Sequence, residues 1–149
     1  MTRVAQITHV LLRIVAGLLF MQHGGQKLLG WFGGIGAPGG GSVPLSSLMG
    51  VAGIIEFWGG LALLLGLLTR FVGFVMAGEM AVAYFLQHFP HGNWPIQNHG
   101  EPAVLYAFIF LFFAGNGSGG FSLDSLIFRR RREARVHDDR APDMRPRIA

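Results

Sequence analysis

The sequence has no cysteine, and only 13% of its 149 residues are charged. The missing cysteines exclude disulfides, thiolate metal sites and cysteine redox chemistry within this chain. An ordinary soluble domain carries about 25% charged residues, so there are too few charges here to cover a water-facing surface. Disorder over most of the chain is excluded too, because 51% of the residues are hydrophobic and apolar surface to bury is plentiful. The formal net charge of +4 does not mark a nucleic-acid binder. Residues 1–128 hold four basic side chains (Arg3, Arg13, Lys27, Arg70) and four acidic ones (Glu56, Glu79, Glu101, Asp124), which cancel. The whole excess lies in residues 129–149, where eight arginines outnumber four acids. No aromatic residue interleaves with that run, which argues against nucleic-acid binding. The chain divides into a neutral, apolar membrane domain over 1–128 and a basic cytoplasmic tail over 129–149 that is expected to be disordered.

A membrane-spanning helix needs roughly 20 mostly apolar residues. Four stretches qualify, about 7–28, 48–68, 71–89 and 101–117. The first is expected to be retained, since Arg13 interrupts its apolar run and no small-residue cleavage pattern follows. The second and third are joined so tightly, through Leu68-Thr69-Arg70, that they form an antiparallel hairpin. The loop from Gly30 to Ser47 holds seven glycines and two prolines and excludes regular structure. The basic residues then set orientation. Arg3, Arg70 and the arginine tail fall on one side of an even number of spans. The expected fold is therefore an all-α integral membrane four-helix bundle in the cytoplasmic membrane, with both termini cytoplasmic. After the fourth span the glycines of 115–120 stop the helix. Phe121, Leu123, Leu126, Ile127 and Phe128 read as a short interfacial helix, with Arg129, Arg130, Arg131 and Arg132 meeting anionic lipid at about 1 kcal/mol each.

Ionisable groups within spans are costly and turn toward protein or a cavity. His9, Arg13, Ala16, Phe20, His23 and Lys27 recur at spacings of 4, 3, 4, 3 and 4, one face of span 1, with Ala16 and Gly17 leaving room for a neighbouring helix. Glu56 sits among Ala52, Gly53, Gly59 and Gly60, and Glu79 roughly opposite a small-residue stripe of Gly73, Ala77 and Ala81. At about 1.5 Å per residue, Arg13 comes ~8 Å and Glu79 ~12 Å from the cytoplasmic edge, with Glu56 at ~18 Å and His23 at ~23 Å. These depths predict an inner Arg13–Glu79 pair and an outer Glu56–His23 pair. Three roles stay open for them, namely fixing helix register, binding a polar ligand, and lining a transport path. The last is disfavoured by four short spans without broken-helix repeats.

The outward side also collects His88, His91 and His99 with Asn93, Asn98 and Glu101. His88-x-x-His91 has a spacing open to zinc, copper or iron, and histidines on two helices suit haem. Pro90 removes the helical geometry that would aim the first pair, so no metal site is expected. Asn98-x-x-Glu101 has capping-box spacing and reads as the start of span 4. Trp31, Trp94 and Tyr106 read as interface and packing aromatics.

These motifs occur in a definite order. They run from Leu11-Leu12-Arg13 through Met21-Gln22-His23-Gly24-Gly25-Gln26-Lys27-Leu28 and Gly53-Ile54-Ile55-Glu56-Phe57-Trp58-Gly59-Gly60 to Gly66-Leu67-Leu68-Thr69-Arg70, Gly78-Glu79-Met80 and Asn98-His99-Gly100-Glu101. In that order the chain resembles the DoxX family of membrane proteins over about residues 8–125. The resemblance implies four membrane helices. It also implies kinship with subunits of sulfur-linked quinone oxidoreductases and other membrane oxidoreductase complexes. The family's recurrent polar positions fall on Arg13, His23, Lys27, Glu56, Arg70, Glu79 and Glu101, while the tail after Phe128 is not covered. Two functions follow. One is a membrane subunit of an oxidoreductase complex holding quinone between its spans. It would work with a protein partner that carries the redox centre, since the chain has no cysteine and no nucleotide-binding glycine fingerprint. The other is a non-catalytic scaffold or assembly protein whose tail recruits a cytoplasmic partner. Neither requires a covalently bound cofactor.

Overall fold

The structure, a computed structural model, describes residues 2–36 and 38–127. Among them no strand forms, and the chain is built from helices α1 (Arg3–Leu29), α2 (Leu48–Leu65), α3 (Thr69–Ala83), a single turn α4 (Pro95–Asn98) and α5 (Glu101–Asn116). The basic tail, with Arg129 to Arg132, lies outside the described residues. Three helical stretches are long and apolar enough to cross a membrane, namely Arg3–Leu29, Leu48–Leu65 and Thr69–His91. The third runs past α3 because a π-helical turn (Tyr84–His88) and a 3-10 turn (Phe89–His91) continue its axis before Gly92 ends it. The stretch expected as a fourth span is helical as α5, but at 16 residues it reaches only ~24 Å and is shorter than those three. Of the proposed interfacial helix, residues 123–127 are helical.

Local chemistry sets the ends. Thr2 and Ser47 cap α1 and α2, their hydroxyls accepting from the amides of Ala5 (3.2 Å) and Gly50 (3.0 Å). Gly66, at φ +67, closes α2 in a Schellman arrangement. Its amide donates to Leu63 O at 3.0 Å and that of Leu67 to Ala62 O at 2.8 Å. The next residue, Leu68, is left-handed at φ 48, a conformation costing an ordinary residue roughly 1–2 kcal/mol. Asp124 offsets it from beyond α5. Its carboxylate accepts from the amides of Leu68 (2.8 Å) and Thr69 (3.0 Å), capping α3 from a distant part of the chain.

The helices pack as two antiparallel pairs, α1 on α2 and α3 on α5, joined chiefly through α2 and α3. Small residues allow each close approach. A Cβ at Gly17 would meet Gly60 O and Leu64 N at 2.7 Å, and one at Gly73 would meet Phe110 O at 2.8 Å and Ala114 N at 2.9 Å. Between the pairs lies a core of Phe20, Leu63, Met76, Phe110 and Phe113, with the rings of Phe20 and Phe110 edge-to-face at 4.6 Å. The surface is as apolar as the core, since Leu11, Val15, Phe71, Phe74, Leu105 and Phe108 are all exposed. Such a chain is turned outward for hydrocarbon.

Candidate functional site

The expected stripe on α1 is real over His9, Arg13, Ala16 and Phe20, all buried, whereas His23 at its edge stays exposed. Its ionisable members divide between the two ends of the helices, and they do so differently from the expectation based on depth.

At the end holding the α2–α3 turn, Arg13 is only 2% exposed, and it does not meet Glu79. Its guanidinium donates to Ser118 O (2.6 Å) and Phe121 O (2.9 Å), in the segment after α5. His9 Nε2 donates to Gly117 O at 3.0 Å, with its ring against Phe112 and Phe113, each at 5.3 Å. Arg70 donates to Gly115 O at 2.7 Å. Depth does not say which helix a side chain faces. Because α1 packs on α2 and α3 on α5, the neighbour available to Arg13 is the returning segment 117–124. This end fastens the chain to itself.

The other end is different. A cavity of about 530 Å³ opens between the two helix pairs, and four of the expected residues, His23, Lys27, Glu56 and Glu79, line it. Glu56 pairs with Lys27 instead of His23. Lys27 Nζ donates to both carboxylate oxygens, at 2.6 Å and 2.5 Å. Side chains lean toward the N-terminus of their own helix. Lys27 on α1 and Glu56 on the antiparallel α2 therefore converge across the levels that separate their backbones. Glu79 lines the same cavity, and its Oε2 is buried without a hydrogen-bond partner among the described residues. The remaining walls are mostly apolar, including Phe20, Ile55, Val75 and Met80.

Sequence reasoning passed over Tyr106 as packing. It lines this cavity, in contact with Phe20 and stacked on Phe110. A signal existed, since Tyr106 carries the only polar side chain between Pro102 and Gly115. Glu101 is not part of the group. It is exposed at the start of α5, beside a separate apolar groove between α1 and α5. The expected capping box does not form either, because the cap position of α5 is Gly100 with no side-chain bond. Buried Asn98 instead brackets the loop, accepting from Gly100 N (2.8 Å) and donating to Gly92 O (2.7 Å). Of the histidines weighed as metal ligands, His88 and His91 give their Nδ1 protons to Asn98 O and Gln87 O. His99 is the left-handed residue after α4. Among the described residues no group of three or more His, Asp or Glu side chains is placed so that it could hold a metal ion.

Apolar helices facing outward, with a charged corner inside an apolar cavity, define a helical integral membrane protein. The family follows from comparison. The chain belongs to the DoxX family, whose model matches residues 8–89, a span that includes Arg13, Lys27, Glu56 and Glu79 but ends before α5. An uncharacterized protein of Haemophilus influenzae (strain ATCC 51907 / DSM 11121 / KW20 / Rd) is 41% identical over 122 residues, covering 80% of this chain and 90% of its own. A Bacillus subtilis (strain 168) protein named "Putative oxidoreductase CatD" is 30% identical over 142 residues, 91% of this chain and 98% of its own. "Inner membrane protein YqjF" of Escherichia coli (strain K12) is 27% identical over 144 residues, 87% of this chain and 99% of its own. No solved structure matches.

Proposed function

We propose that this protein is the membrane subunit of a quinone-linked oxidoreductase complex, a four-helix bundle with both termini cytoplasmic whose partner carries the redox centre. The carrying observation is the cavity. Its ~530 Å³ falls in the range of small-molecule sites, roughly 300–1,000 Å³. Its charged side chains, Lys27, Glu56 and Glu79, face it from among mostly apolar walls, as suits a polar ring with apolar surroundings. The residues present fit a ring bearing two carbonyls. An ammonium has three N–H groups, and two directions of Lys27 are taken by Glu56, which leaves a donor to offer. The Tyr106 hydroxyl is a second donor. When bound, a quinone supplies two-electron, two-proton chemistry. The chain's own part is to hold the ring. Glu56 fixes the Lys27 ammonium, the apolar walls exclude water, and Glu79 Oε2 takes or gives a proton. The relative named as an oxidoreductase supports the class of reaction. A partner is required because the chain has no cysteine and no nucleotide-binding fingerprint. The orientation rests on Arg3, Arg70 and the tail arginines lying on one side.

Purification in mild detergent, followed by extraction and quantification of bound quinone, tests this reading. Wild-type protein should carry quinone, and Glu56→Gln should lose it. A quinone-free wild-type complex that dissociates when residues 129–149 are removed would overturn the reading in favour of a scaffold.

A further inference from the structure

Beside the corner that holds Lys27, Glu56 and Glu79, the cavity extends into a gap between two helices. α2 and α3 touch near their shared turn, where a Cβ at Gly59 would meet Met76 Sδ at 2.8 Å. Toward the opposite end the facing positions are Val51 and Leu48 on α2, with Val82 beyond α3's midpoint and Leu86 in the π turn, and all four line the cavity. All four are also exposed, from 47% at Val51 to 60% at Leu48. A rim made of aliphatic side chains that are both cavity wall and outer surface opens onto hydrocarbon, not water. Inward from it the wall passes through Ile55 to Glu56 and from Val82 to Glu79, so along the α2 and α3 walls it runs from aliphatic to charged, with Gln87 and His88 lining the cavity beyond Leu86. That gradient is amphiphilic, with a polar head site inside and an apolar exit.

We propose that the ligand is a tailed amphiphile that reaches the cavity from within the bilayer, between α2 and α3. Its polar head lies at Lys27, Glu56 and Glu79, and its apolar tail runs out between Val51 and Val82. The inference rests on the head-group reading above and adds the tail and the route. A water-soluble ring would have no use for an aliphatic rim. A tailed one gains about 0.8 kcal/mol for each methylene the rim covers.

The test uses the full-length protein in detergent, with decylubiquinone and the same ring lacking its tail as probes, and affinities corrected for partition into the micelle. Wild type should bind the decyl form at least tenfold more tightly. Val51→Trp or Val82→Trp, which fill the gap, should weaken the decyl form about tenfold and leave the tail-less ring unchanged. Glu56→Gln should weaken both. Unchanged helical circular dichroism and elution volume show that each variant is folded. A second readout avoids bulky substitutions. In this cysteine-free chain, a single Val82→Cys thiol should be protected from a membrane-permeant maleimide by the decyl form and not by the bare ring. Equal binding of both rings, with the Trp variants and thiol protection not telling them apart, would overturn the tail and route while leaving the head site standing. If neither ring binds wild type, the quinone reading itself falls.

Discussion

Replacing Arg13 by methionine keeps a long flexible apolar stem and removes only the guanidinium. The carbonyls of Ser118 and Phe121 then lose donors at 2.6 Å and 2.9 Å. A hydrogen bond to a charged group contributes about 1.5–3 kcal/mol, and a buried carbonyl left bare costs about 1–3 kcal/mol. The Ser118 bond is buried and carries the full cost, whereas the Phe121 bond is only partly buried and water replaces part of it. Against this, methionine relieves the expense of burying a cation, so the net loss is about 2–4 kcal/mol. For a chain of this size each kcal/mol moves the melting temperature by about 2–4 °C, and thermal unfolding in detergent should fall by roughly 5–15 °C. Arg13→Lys should recover part of it, because a single ammonium does not span both carbonyls as the guanidinium fork does. Adding Glu79→Leu should be additive to within about 0.5 kcal/mol, since the two side chains share no contact. A melting shift below about 2 °C, or strong coupling between Arg13 and Glu79, would refute the assignment of Arg13 to the segment after α5.

Two further outcomes follow from the hydrogen-bond geometry. Lys27→Met should cost about 3–5 kcal/mol, because it strands the buried Glu56 carboxylate, and Glu56→Leu less, because Lys27 is only partly buried. The double variant should cost clearly less than their sum, and additivity in the melting curves would mean that the pair is not formed. Asp124→Ala should cost about 1–2 kcal/mol by uncapping α3. Asp124→Asn, which retains one acceptor oxygen for two amides, should fall between. Equal melting of Asp124→Ala and wild type would exclude the cap.

Composition alone located the helices, because apolar length and glycine punctuation are properties of contiguous residues. The buried face of α1 was also legible, since His9, Arg13, Ala16 and Phe20 share one periodicity, as was the close approach at Gly17. Partnership was not legible. Arg13 was assigned to Glu79, and Glu56 to His23, from depth along the helix axes, which ignores both the order of packing and the lean of side chains along antiparallel helices. Lys27 was the better partner for Glu56 because the two lean toward each other. Asp124 went unremarked because its partners are amides 55 and 56 positions away, and backbone donors leave no mark in a sequence. Asn98 was read as a cap for the helix after it. It turned instead into the loop, where Gly92 O and Gly100 N were within reach of one buried amide.

The scarcity of charge in the membrane body makes the use of each one informative. At the turn end, His9, Arg13, Arg70 and Asp124 all engage backbone groups of loops or helix ends. Those groups have no helical partner and would be costly to leave bare in an apolar setting. Each of these side chains has a structural return, so none of them needs a function to explain its presence. At the cavity end Lys27 and Glu56 pair with each other and would do so without a third group. Glu79 is the residue left over. It gives no cap and closes no pair, and it keeps a buried oxygen without a partner among the described residues. A leucine there would pack against the same apolar walls at no such cost, so stability does not account for the carboxyl. It faces the same cavity as the one ammonium of the membrane body, which makes Glu79 the residue at which structure and stability part company.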